Sequence, residues 1–158
     1  MTFVIRPVVP GDEALVLSFI RELAEYEKLL DSVVASEDSV RAALFAPQPR
    51  VFCDIAEAEG KPAGFALWFY NYSTFLARSG IYLEDLFVRP AFRGRGIGKG
   101  LLVNLAARAR DEGCARLEWS VLDWNKPSIA FYESLGARPF DGWTVYRLTG
   151  EALRKLAE

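Results

Sequence analysis

Glu84 and Asp85 interrupt a segment that is otherwise apolar from Tyr82 to Val88, and Arg93-Gly94-Arg95-Gly96-Ile97-Gly98-Lys99-Gly100 follows five residues later. A carboxylate inside an apolar strand is costly unless it is used or paired. Glu84 is therefore either a working acid–base group or one half of a buried ion pair with an arginine. The stretch reads as strand, turn, glycine-rich loop and helix start. Peptide N–H groups at the start of a helix lack intrahelical partners, and the helix dipole favours negative charge there, so the loop is a ready anion site. Glycines at 94, 96, 98 and 100 let a ligand come within hydrogen-bond reach of the backbone. The plain alternative is a glycine-rich turn that only opens an ordinary helix.

Spacing decides which anion. A Walker A loop needs Gly-x-x-x-x-Gly-Lys-[Ser/Thr]. Counting back from Gly98-Lys99 puts Arg93 at the first glycine, and Gly100 stands where the metal-binding hydroxyl belongs. The dinucleotide pattern Gly-x-Gly-x-x-Gly ends on Lys99 when started at Gly94 and on Leu101 when started at Gly96. Arg-x-x-Gly-x-Gly does fit, as Arg93, Gly96 and Gly98.

Composition narrows the chemistry further. There is no histidine among the 158 residues, which removes the commonest general base and every Ser-His or Cys-His nucleophile scheme. Catalysis must run on carboxylates, tyrosines, amines or backbone. Cys53 and Cys114 lie far apart without metal-ligand spacing, so they read as two reduced core thiols. A net charge of −2 implies no basic face and argues against nucleic acid as a partner. No apolar run reaches membrane-spanning length and no signal-peptide pattern opens the chain, so the expectation is a cytoplasmic protein that does not engage a membrane. The length suits one domain with a real core.

The elements that must position these groups follow from pattern. Phe3–Val9 is a first strand ending at Pro10-Gly11. Asp12 is the expected N-cap of a helix to about Lys28, with Leu15, Phe19, Leu23 and Tyr26 on one stripe. Ser36 opens a second helix with Val40, Leu44 and Phe45 inward, stopped by Pro47 and Pro49. Val51–Glu59 and Ala63–Tyr72 form a hairpin across Glu59-Gly60-Lys61-Pro62. Tyr82–Val88 is a strand whose apolar sequence suggests burial on both faces. A helix from Ile97 carries Leu101, Leu102, Leu105 and Ala109 inward and ends near Gly113. Arg116–Leu122 is a strand. Asn125-Lys126-Pro127 starts a helix that Gly136 ends, Thr144–Leu148 is a last strand, and Glu151–Glu158 forms a short terminal helix. This order argues one α/β domain over residues 1–158, with a mixed, mostly antiparallel twisted sheet flanked by helices.

Arg93, Gly96 and Gly98, set between that strand and that helix, resemble the acetyl-CoA pyrophosphate loop of the GCN5-related N-acetyltransferase (GNAT) family. Asn125-Lys126-Pro127-Ser128-Ile129-Ala130-Phe131-Tyr132-Glu133-Ser134-Leu135-Gly136-Ala137 resembles the second signature of the same family. Glu22–Leu29, Tyr82–Asp85, Val121–Asn125 and Gly150–Leu156 are similar to its diamine acetyltransferase branch, which includes spermidine/spermine and thialysine N-acetyltransferases. The last two blocks are closer to the thialysine type. Ala137–Trp143 is shorter than the corresponding loop of the polyamine enzymes. The resemblance spans nearly the whole chain. It implies the family fold, acetyl-CoA as donor, no metal, a primary amine of a small cationic molecule as acceptor, and a homodimer.

The resemblance also implies roles. Glu84 would be the base, acting through water, and Tyr132 the acid that protonates the departing thiolate, although a tyrosine on an apolar helix face is otherwise core. Leu86, Phe87 and Val88 would face the pantetheine arm and the acetyl carbonyl. Arg93, Gly94, Arg95, Gly96, Ile97, Gly98 and Lys99 would bind the pyrophosphate, chiefly through N–H groups. Asn125 would hold the pantetheine or simply cap its helix, and Ser128 would add to the donor site. Tyr26, Glu27, Glu84, Glu118, Trp119, Ser120 and Asp141 would surround the acceptor. Two other readings stay open: acetylation of a protein lysine or N-terminus, and a CoA-binding module without turnover.

Overall fold

The computed structural model describes residues 2–158. They form two compact units, one running to Ser120 and one from Val121 to Glu158.

The first unit is a five-stranded sheet with three helices. Its elements are β1 (Phe3–Pro7), α1 (Glu13–Tyr26), α2 (Glu37–Leu44), β2 (Phe52–Ala58), β3 (Lys61–Ser73), β4 (Arg78–Val88), α3 (Ile97–Asp111) and β5 (Leu117–Trp119). The strands lie in chain order and are antiparallel except for β4 and β5, which α3 connects as a parallel pair. The sheet is thus mixed and mostly antiparallel, as its sequence pattern requires. Glu59 and Gly60 both have positive φ, 55° and 71°, and form the two-residue turn that suits the twist of the β2–β3 hairpin.

Three local expectations change. Asp12 does not cap α1 with its side chain. It accepts instead from Arg6 at 2.8 Å and from the Val9 N–H at 2.8 Å, so the carboxylate ties β1 to the turn before the helix. The stripe of α1 centres on Val16, Phe19 and Leu23, with Leu15 at its margin, and Phe19 stacks on Phe65 of β3 at 5.1 Å between ring centroids. β4 begins at Arg78 rather than Tyr82, because β3 runs to Ser73 and the two strands pair along their whole length. Ser36 does cap α2, in a reciprocal bond with Ser39.

The second unit holds α4 (Lys126–Ser134) and α5 (Gly150–Leu156). Asn125 caps α4, its Oδ1 accepting from the Ser128 N–H at 3.4 Å. The other end of α4 closes in a Schellman motif: Ala137 N–H donates to the Tyr132 carbonyl at 3.2 Å and Gly136 N–H to Glu133 at 3.0 Å, with Gly136 at φ 92°. The expected terminal helix is present as α5. The expected strand Thr144–Leu148 is not: the segment joins no ladder, and its own unit offers no strand edge to pair with.

Candidate active site

The glycine-rich loop begins where β4 ends. Arg89 anchors that end to α1, pairing with Glu22 at 3.1 Å, donating to Ser18 Oγ at 3.1 Å and stacking over Phe19 at 4.5 Å. The chain then turns through Gly94 and Gly96, both left-handed at φ 74° and 80°, and Gly96 becomes the N-cap of α3. No side chain caps this helix, and the first bond along it runs from the Gly100 N–H to the Gly96 carbonyl at 2.8 Å. The N–H groups of Ile97, Gly98 and Lys99 therefore have no acceptor within the helix. The Ile97 side chain is core, 1% exposed, so only its backbone can meet a ligand.

The glycines divide by purpose. A Cβ at Gly94 or Gly96 would touch nothing within 4 Å, and one at Gly98 would make ordinary contact with Val88 at 3.7 Å. One at Gly100 would strike the Phe3 ring at 2.5 Å. Gly100 thus serves the packing of α3 on β1, not a ligand as its place in the loop suggests. The side chain of Arg95 turns to Glu59 at 3.3 Å, and Lys99 is exposed.

On its outer side β4 pairs with β5 only from Ile81 to Leu83. No strand of the first unit continues that ladder along Leu86, Phe87 and Val88. The Val88 carbonyl already accepts from Arg93 Nε at 2.8 Å.

The residues expected to surround an acceptor centre on a β-bulge. The β3–β4 register passes from Leu67–Asp85 to Trp68–Leu83 and skips Glu84. Glu84 is exposed, not buried in the strand, and the neighbouring arginines are spent elsewhere, Arg89 on Glu22 and Arg93 on Val88. The ion-pair alternative for Glu84 thus has no support among the described residues. The bulge explains the exposure: an extra residue leaves the ladder and turns its side chain out of regular alternation.

Glu27, the residue after α1, lies close enough to feel the Glu84 charge. Burial, then Glu84, raises the Glu27 pKa above the usual carboxylate range. Asp85 is affected more. Burial first, then the charges of Glu84 and Glu27, push it up to about 6. Asp85 is a residue that the sequence reading passed over; its only signal was its place beside Glu84. Glu84 and Glu27 thus set negative charge against Asp85, and a cation placed among the three carboxylates would relieve it.

This cluster fixes a pH dependence. The folded-state pKa of Asp85 lies above its unfolded value, so its ionisation destabilises the fold as pH rises from about 4 to about 6. Asp85→Asn is expected to raise stability by on the order of 1–3 kcal/mol at pH 7.5 and to leave it nearly unchanged at pH 4. Thermal melts across that range check it; an equal gain at both ends would mean that charge is not the cause.

Other predicted acceptor residues are placed differently. Glu118 pairs with Arg116 at 2.8 Å and accepts from Asn71 at 3.1 Å, so its carboxylate is already engaged. Trp119 is half-buried in β5, and Ser120 shares a hydrogen bond of 2.6 Å with Tyr82. Tyr26 is the last residue of α1, with the Arg93 guanidinium 5.2 Å from its ring centre. Asn125, Ser128, Tyr132 and Asp141 belong to the second unit. There Tyr132 is half-buried on α4 with its ring 5.6 Å from Phe131, and Asp141 is exposed.

Comparison with known proteins gives a consistent picture. Residues 17–137 match the model of the acetyltransferase (GNAT) family. The chain is 44% identical to thialysine N-epsilon-acetyltransferase of Bos taurus, covering 99% of each. It is 32% identical to L-ornithine N5-acetyltransferase of Arabidopsis thaliana, over 96% of this chain and 86% of that protein. Among solved structures, an integron cassette protein from the mobile metagenome of V. cholerae superposes with a TM-score of 0.82 at 31% identity, covering 100% of this chain and 99% of that one.

Proposed function

Because the chain belongs to the acetyltransferase (GNAT) family and is an N-acetyltransferase, we propose that it moves an acetyl group from acetyl-CoA to a primary amine of a small cationic acceptor, lysine-like or diamine, by direct transfer in a ternary complex. The observation that carries this reading is the carboxylate cluster at the β4 bulge, on the same strand that feeds the glycine loop. The acceptors named for the relatives, thialysine and L-ornithine, both suit it, since each has an amine on a flexible chain. Both compact units would act as one catalytic domain, and two copies would form a homodimer in the cytoplasm.

The residues divide the work. The N–H groups of Ile97, Gly98 and Lys99 hold the diphosphate at the helix N-terminus. The unpaired side of Leu86–Val88 receives the pantetheine arm as it would a strand. Donor and loop fit on structural grounds: an uncapped helix start, two left-handed glycines and open space above them. Acetyl-CoA supplies the activated acyl group. Glu27 and Asp85 draw in the cationic acceptor. Glu84 takes a proton from its ammonium group through water, because an alkylamine with a pKa near 10 must be neutral to attack. As the nitrogen bonds to the acetyl carbon and the carbon–sulfur bond breaks, Tyr132 gives its proton to the sulfur, and the proton that the nitrogen sheds on becoming an amide returns to the phenolate through water.

Assays with acetyl-CoA against thialysine, lysine, ornithine, spermidine and lysine peptides test the reading. Small amines are expected to turn over and peptides not, with initial-rate lines that intersect as sequential transfer demands; preference for peptides would overturn it. Glu84→Gln should cost most near pH 7 and progressively less as pH rises, since solvent then deprotonates more of the amine. Parallel pH profiles for variant and wild type would remove Glu84 from the role of base.

A further inference from the structure

The first residue of the glycine loop has a side chain that points away from the loop's work. Arg93 Nε donates to the Val88 carbonyl at 2.8 Å. Its guanidinium folds back between two rings, 5.2 Å from the centre of Tyr26 and 5.4 Å from that of Phe87. Its backbone N–H closes the short turn after β4, donating to the Pro90 carbonyl at 3.2 Å. From its place in the loop that opens α3, the side chain therefore touches two other elements, the end of β4 and the last residue of α1. Tyr26 is followed by Glu27, a member of the carboxylate cluster. The end of α1 also carries a left-handed non-glycine residue, Lys28 at φ 62°. Such a conformation persists only where surrounding contacts hold it, which makes the α1 terminus a place where a lost contact is felt.

We propose that Arg93 is a positioning residue for the amine acceptor rather than a phosphate ligand. Its backbone belongs to the donor loop, and its side chain clamps the end of α1 against β4. Order imposed on the loop by a bound diphosphate then passes to Tyr26 and Glu27, so that the acceptor pocket is best formed when the donor is in place. The inference rests on the acetyl-transfer reading given above. A cation over an aromatic ring and a charged hydrogen bond to a carbonyl are each individually modest, yet together they are enough to set the orientation of one helix end.

The test separates donor from acceptor. Arg93→Met keeps the length of the side chain and removes both the charge and the Nε donor. It is expected to raise the acceptor KM roughly tenfold while acetyl-CoA Kd, measured by calorimetry, stays within about threefold. Arg93→Lys restores a cation over Tyr26 without the flat stack or the Nε bond, and should recover part of the loss. In a Tyr26→Leu background Arg93→Met should add less than about twofold to the acceptor KM, because the ring it acts through is gone. Amide exchange over residues 24–29 gives a readout free of turnover: acetyl-CoA should slow it in wild type and not in Arg93→Met. Tenfold weaker donor binding with an unchanged acceptor KM would make Arg93 a phosphate ligand and overturn the proposal. So would full additivity with Tyr26→Leu, or exchange over 24–29 that ignores the donor in wild type. If wild type binds acetyl-CoA but acetylates no small amine, the acceptor reading fails by itself and the exchange measurement still judges the clamp.

Discussion

Tyr132→Phe is expected to lower kcat by roughly 10- to 1000-fold while acetyl-CoA affinity changes little, because a proton donor to the leaving sulfur acts on charge that exists only as the thiolate departs. Tyr132 sits in the last turn of α4, where its carbonyl receives the closing bonds from Leu135 and Ala137 at 3.1 and 3.2 Å, and none of these uses the hydroxyl. Phenylalanine keeps the ring, and with it the contact to Phe131. A tyrosine that only fills space would show the reverse result, a lower melting temperature with kcat intact. Steady-state rates at saturating thialysine, with calorimetric titration of acetyl-CoA, decide between them. A variant within about twofold of wild type would leave the acid without support.

Gly98→Asp is expected to weaken acetyl-CoA binding by roughly 100-fold or more, since it sets a carboxylate where the helix N–H groups meet a diphosphate. The effect on the free protein should run the other way. Gly98 is not in a left-handed conformation, and its new Cβ would only brush Val88 at 3.7 Å. An aspartate in the first turn also suits the helix dipole, so the unliganded melting temperature should hold or rise slightly. Gly96→Asp is the poorer probe, because φ 80° strains any side chain there before a ligand is considered. Melting curves with and without acetyl-CoA read both signs at once: the ligand-induced rise should vanish while the baseline stays. A retained rise would mean that the loop does not hold the donor.

Much of the first unit was legible because each element follows from a local rule. The Glu59-Gly60 turn, the capping serine of α2 and the inward leucines of α3 are readable from residue types and period alone. What failed has a common cause. Asp12 was a good cap by type, but Arg6 competes for the same oxygens across a turn. Thr144–Leu148 has strand composition, yet a strand needs a neighbour that composition cannot supply. Glu84 was singled out for burial, although what distinguishes it is a bulge, and a bulge depends on the register between two strands rather than on either strand's sequence. Asp85 carries no mark in the sequence for a related reason: burial in the folded sheet raises its pKa first, and the charges of Glu84 and of Glu27, fifty-eight residues earlier, add to that. Gly100 looked like part of the loop until Phe3 was placed against it.

The bulge in β4 has a consequence for solubility. Past Leu83 the side of the strand away from β3 offers backbone groups with no ladder partner in its unit, in a sequence, Leu86-Phe87-Val88, that would readily pair with another copy of itself. Proteins commonly guard such edges with irregular backbone and charge. Here the skipped residue, Glu84, and its neighbour Asp85 supply both the irregular backbone and the charge at the start of that segment. The groups proposed to attract the amine would thus also keep like strands from zipping together, and a descendant that neutralised them to change its chemistry would inherit an adhesive edge.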